Sequence, residues 1–255
     1  MKTKKLLRNL LQAVVVLIAA VIFVGMGFWL IDGRSPQAFI VSHSLKKSTM
    51  ETYAMRKAET TGCGIVAPNY PMLYQYTAKD AHPLMLQLYR QLLERFPARR
   101  IIIAGDSAGG GFTLALTQEM RADSIELPSH LILISPWVDV TGGDDALQEH
   151  DTFLDNEVLR HVGADWAAEL DTHDPIVSPL YGDMQGLPPT DLFTGTWEVF
   201  YTDIQKTCDK MNAAGVNVHL HAKHKMGHVY PLWPCPEGKE AREDIAEIIA
   251  LTSNT

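Results

Sequence analysis

Short uninterrupted aliphatic runs recur along the chain at Gly64-Ile65-Val66-Ala67, Arg100-Ile101-Ile102-Ile103-Ala104 and Leu131-Ile132-Leu133-Ile134. Between the first two, leucines at 84, 88 and 92 repeat at helical spacing. Runs of four or five residues are too short for helices, and apolar side chains at every position suit strands covered on both faces. The pattern predicts strands at 64–67, 100–104, 130–135, 191–194 and 216–220. Helices are expected at 78–96, 107–120, 203–213 and 238–251, with Pro83 near the first turn of its helix, where it is tolerated. A loop-and-helix insertion over 136–189 interrupts the alternation. Short strands alternating with helices define an α/β class with a mainly parallel sheet flanked by helices.

The longest apolar run changes the picture at the N-terminus. Leu10 to Ile31 carries no charge and one strongly polar side chain, Gln12, and it follows Lys2, Lys4, Lys5 and Arg8. At about 1.5 Å per residue it covers the roughly 30 Å hydrocarbon core of a bilayer. A cleaved signal peptide would have a shorter apolar region and a small-x-small site after it. The expectation is therefore a membrane anchor in residues 1–31 with a single spanning helix over 10–31. The basic flank puts the N-terminus in the cytoplasm and everything after Asp32 on the outer face of the cell membrane. Residues 32–60, polar and mixed in charge, read as a juxtamembrane linker ending in a weak helix from Met50 to Glu59. Residues 61–255 read as the folded domain.

Composition narrows the function classes. The 255 residues are 46% hydrophobic and 20% charged, enough for one domain with its own core. The net charge of −8, with no basic stripe interleaved with aromatics, speaks against a nucleic-acid partner. Cys63, Cys208 and Cys235 are too few for a disulfide framework and form no C-x-x-C pair. His219, His221, His224 and His228 have no carboxylate among them and mix strand with loop, so no metal or other cofactor is expected.

The chemistry centres on Gly105-Asp106-Ser107-Ala108-Gly109-Gly110, where a predicted strand meets a predicted helix. This is the G-x-S-x-G turn that holds a serine hydroxyl out at the end of a sheet. A serine needs a general base to take its proton and a third group to fix the base's tautomer. With that turn the chain order is serine, acid, histidine. Among the downstream histidines, His219 and His221 alternate with Val218 and Leu220 on a predicted strand, whereas His228 lies in the loop after it, where catalytic groups of open α/β sheets collect. Glu198, just beyond the strand 191–194, is the candidate acid. Asp203 is the reserve, with an alternative role as the N-cap of the helix that follows. Asp106 reads as structural. The backbone N–H of Ala108 is the expected oxyanion donor. Trp137, Phe153, Leu154, Leu159 and Trp166 of the insertion are candidates either for an acyl pocket or for ordinary packing.

Taken in order with Ser135-Pro136-Trp137-Val138-Asp139, Asp174-Pro175 and Met226-Gly227-His228, this motif resembles the hormone-sensitive-lipase branch of the α/β hydrolases, over roughly residues 60 to 250. The resemblance implies a serine carboxylesterase for small-molecule esters, often of short acyl groups such as acetyl, with Ser107 as nucleophile, Glu198 as acid and His228 as base. The family more often has aspartate in an Asp-Pro-Leu context where this chain reads Glu198-Val199-Phe200. Tyr70-Pro71-Met72-Leu73-Tyr74 replaces its Leu-Ala-Pro stretch. The chain also lacks the His-Gly-Gly-Gly stretch that supplies most of the family's oxyanion hole. With the anchor at 10–31, too few residues remain before Cys63 for the family's first strands, so a truncated sheet is expected. A catalytically impaired relative serving as a binding or interaction protein is the alternative function.

Overall fold

The computed structural model describes residues 15–19, 63–68, 70, 71, 73 and 75–253. In chain order the elements are β1 (Val15–Ala19), β2 (Gly64–Val66), α1 (Ala78–Leu93), β3 (Ile101–Asp106), α2 (Ala108–Ala122) and β4 (His130–Ile134), followed by α3 (Asn156–Ala167), β5 (Thr190–Gly195), α4 (Tyr201–Ala213), β6 (Val218–Lys223) and α5 (Pro236–Ser253). The strands form one sheet in the order β2-β1-β3-β4-β5-β6, with every neighbouring pair parallel.

The continuous aliphatic runs have the predicted physical cause. Ile101, Ile103, Leu131, Leu133 and Leu192 face one layer with residues of α1, α2 and α4. Ile102, Ile132, Ile134 and Phe193 face the other, against Ala241, Ile245 and Ile249 of α5. Both faces are covered, so both parities of β3 and β4 are apolar.

The N-terminal expectation needs correction. Val15–Ala19 is a strand, not part of a spanning helix, and it pairs with β2 on one side and β3 on the other. The run Val14-Val15-Val16-Leu17-Ile18 is rich in β-branched residues, and an apolar stretch of this kind suits a central parallel strand as well as a membrane segment. One strand of the sheet thus comes from the apolar run itself, so the anchor assumed when counting residues before Cys63 does not take up all of 10–31. The rest of the expected 10–31 helix, the 32–60 linker and the helix from Met50 to Glu59 lie outside the described residues. Among the described residues no helix is long and apolar enough to cross a membrane.

A hydrogen-bonded triple is built into the α5 side of the sheet. Buried Asp191 of β5 bonds His130 Nε2 of β4 at 2.7 Å and His221 Nε2 of β6 at 2.5 Å, and the His221 ring stacks on Phe193. His221 is thus held by Asp191 and Phe193 on the face of the strand opposite Val218 and Leu220. Burial alone would raise the Asp191 carboxyl, but the hydrogen bonds and charge of the two histidines outweigh it and hold the group well below the ordinary carboxylate range. A depressed carboxylate contributes stability above its unfolded pKa, lost as pH falls through the folded one. Asp191→Asn is expected to lose about 2–3 kcal/mol at pH 7. The gap should hold down to about pH 4 and narrow below it, as read by urea unfolding across that range.

Candidate active site

Three loops meet at the carboxyl ends of the strands. β3 ends at Asp106 and the chain turns into α2 through Ser107, whose φ of 55° and ψ of −127° lie outside the ordinary regions for a residue with a Cβ. The turn is possible because Gly105 leaves room: a Cβ there would stand 2.3 Å from the Gly109 carbonyl oxygen. The two glycines flanking the serine thus meet each other across the elbow. The strained backbone is fixed on both sides, with Ser107 N–H donating to Ile134 O and Ser107 O accepting from Trp137 N.

His228, in the loop after β6, reaches the serine. Its Nε2 lies 2.9 Å from Ser107 Oγ, and its Nδ1 lies 2.6 Å from Glu198 Oε2. Glu198 follows β5 in the turn that leads to α4, and both it and His228 are 0% exposed. Gly195 lets these loops approach, since a Cβ there would meet the Met226 carbonyl oxygen at 2.0 Å. Trp197 N–H donates to the same carbonyl. The second carboxylate oxygen, Oε1, accepts from Ser135 Oγ at 2.8 Å, Gly195 N at 3.0 Å and Thr194 Oγ1. Four donors thus surround one buried carboxylate.

Ser135 follows β4 with φ of 46° and ties the constellation together. Its Oγ donates to Glu198 Oε1 and accepts from Val229 N at 2.9 Å, linking the acid loop to the base loop. Ser135→Ala is expected to lower kcat for ester hydrolysis about tenfold, the worth of one hydrogen bond to a charged group, with KM little changed. A steady-state comparison of the two parameters on p-nitrophenyl acetate checks this.

The other candidates fall as follows. Asp203 is neither the N-cap nor bonded to His228. Phe200 occupies the cap position, and Asp203 sits in the first turn of α4 with Lys206 Nζ at 2.9 Å from its Oδ1. Burial raises its carboxyl above the usual range, partly offset by Lys206. Ala108 is the first residue of α2, where N–H groups have no acceptor within the helix and the helix dipole favours negative charge. β1 ends with Ala19 in register with Gly105, two residues from Ser107, so the chain leaves β1 at the same edge of the sheet. Of the insertion's large apolar residues, Trp137, Leu154 and Leu159 are buried core and Trp166 packs edge-on to Phe112. Phe153 alone of the five is both exposed and beside His228. Among the described residues no group of histidine, cysteine or carboxylate side chains is arranged to hold a metal.

A strained serine at a strand-to-helix turn, within hydrogen-bond distance of a histidine that is bonded to a buried carboxylate, has the arrangement of a Ser-His-acid triad on a parallel α/β sheet. The chain belongs to the alpha/beta hydrolase fold family, whose profile matches residues 38–232. It is 32% identical over 200 residues to an esterase of Acinetobacter venetianus, and 34% identical over 191 residues to an acetyl-hydrolase of Streptomyces hygroscopicus. These alignments take in 74% and 72% of this chain but 65% and 64% of the relatives, just under two thirds of their lengths. Among solved structures, an esterase of the bacterial hormone-sensitive lipase family superposes with a TM-score of 0.80 at 25% identity, covering 95% of this chain and 77% of that one. A hormone-sensitive lipase from a metagenome library gives 0.79 at 25% identity, covering 94% and 78%.

Proposed function

We propose that the protein is a serine carboxylic-ester hydrolase that acts on small-molecule esters of short acyl groups through an acyl-enzyme. The observation that carries this reading is His228, held by Glu198 on one ring nitrogen and within hydrogen-bond distance of Ser107 Oγ on the other. With its proton on Nδ1 donated to Glu198, the imidazole presents a lone pair at Nε2 to the serine hydroxyl. Ser107 Oγ attacks the ester carbonyl as its proton passes to Nε2, and Glu198 stabilises the imidazolium that forms. Collapse of the tetrahedral intermediate returns that proton to the departing alcohol. Water, activated by the same nitrogen, then releases the acid. The Ala108 N–H faces the developing oxyanion as one donor. The names of the esterase and acetyl-hydrolase relatives support the reaction class and the short acyl group.

A second reading, a folded relative that binds esters without turning them over, rests on the missing His-Gly-Gly-Gly stretch, since one lost oxyanion donor costs about 100- to 1000-fold. A fluorophosphonate probe and p-nitrophenyl acetate and butyrate separate the two. The hydrolase is labelled and active and loses both with Ser107→Ala. A folded wild-type chain that is neither labelled nor faster than the mutant overturns the hydrolase. A spanning helix over 10–31 and the sheet compete for Val15–Ala19, and the proposed hydrolase uses those residues in the sheet.

A further inference from the structure

We propose that Phe153 is a specificity-determining residue on the leaving-group side of the site, favouring esters of flat apolar alcohols. This rests on the ester-hydrolase reading above.

The His228 ring has two aromatic neighbours of different kinds. Phe200 meets it edge-on at 5.4 Å and is buried in the core. Phe153 lies 6.0 Å away at 38°, in the range where ring pairs attract, yet it is 37% exposed. Its loop is nevertheless fixed. The buried carboxylate of Asp151 accepts from Phe153 N at 2.9 Å and Leu154 N at 3.0 Å through Oδ1, and from Val199 N at 3.0 Å through Oδ2. Val199 is the residue after Glu198, so one side chain fastens the Phe153 loop to the loop that carries the acid. Leu154, buried in the core, anchors the other end.

The chemistry says which half of the substrate meets this ring. When the tetrahedral intermediate breaks down, the bond from carbon to the alcohol oxygen is cleaved and its electron pair stays on that oxygen, which takes the proton from His228 Nε2. The oxyanion's electron pair reforms the carbonyl of the acyl-enzyme. The alcohol oxygen must therefore lie within about 3 Å of Nε2, and the group it carries extends beside the histidine. The acyl group stays on Ser107 and is the same for every ester of one acid.

A series of acetates isolates the effect because all share one acetyl-enzyme. In the full chain, Phe153→Ala is expected to lower kcat/KM about five- to tenfold for phenyl and 1-naphthyl acetate, the worth of one aromatic contact, and to change ethyl acetate less than about twofold. The ratio of p-nitrophenyl acetate to butyrate should stay constant. Phe153→Leu, which keeps apolar bulk and protects the fold, should fall between. Equal losses on all acetates, or a changed acetate-to-butyrate ratio, would overturn the proposal while leaving the hydrolase standing. A wild-type chain with no Ser107-dependent hydrolysis of any acetate would overturn both.

Discussion

Ser107→Ala and His228→Ala are each expected to lower kcat on p-nitrophenyl acetate by about 10⁴- to 10⁶-fold, and the double variant by no more than the worse of the two. The serine and histidine act as one unit. Without Nε2 to accept its proton the hydroxyl is not a nucleophile, and without the hydroxyl the base has no partner to activate. The remaining rate then reflects whatever binding and oxyanion stabilisation survive. Single-turnover kinetics on the three proteins check the non-additivity. Effects that multiply would mean the two side chains act in separate steps, contrary to the 2.9 Å contact between them.

Glu198→Gln is expected to cost about 10⁴-fold in kcat, far more than a lost charge at the surface. Three donors, from Ser135, Thr194 and Gly195, converge on Oε1, so the amide oxygen of glutamine takes that place. The amide nitrogen then faces His228 Nδ1. Two N–H groups cannot point at each other, so the imidazole moves its proton to Nε2 and can no longer accept one from Ser107. Asp203→Asn is the contrast. Its carboxyl is engaged with Lys206 and not with His228, and kcat should stay within about twofold. A large loss with Asp203→Asn and a small one with Glu198→Gln would exchange the two roles.

The parts of this arrangement legible in the sequence are those with strong local causes. The doubly apolar strands β3 and β4, the crowded glycine turn around Ser107 and the helices between strands follow from patterns a few residues long. The histidine and acid followed from chain order and from which loops leave the carboxyl edge of the sheet. What escaped depended on distant partners. β1 was hidden because Val15–Ala19 sits inside a run long enough for a bilayer, and its pairing with Gly64–Val66 and Ile101–Gly105 distinguishes strand from span. β6 runs Val218–Lys223, later than the predicted 216–220, since its ladder with β5 sets its limits. Ser135 and Asp151 carry no signature of their own. Each matters through two loops brought together from far apart in the chain.

The position of β1 between β2 and β3 also bears on how the protein is made. Synthesis delivers the strands from the N-terminus, yet β1 cannot be flanked on both sides until β3 has emerged, long after the apolar run has left the ribosome. Until then that run is the most hydrophobic stretch of a nascent chain with nothing of its own to cover it, the situation in which chaperones and membrane-targeting factors compete with folding. The interval between these two strands therefore sets how long that run stays uncovered, and slowing translation across residues 64 to 100 would lengthen it.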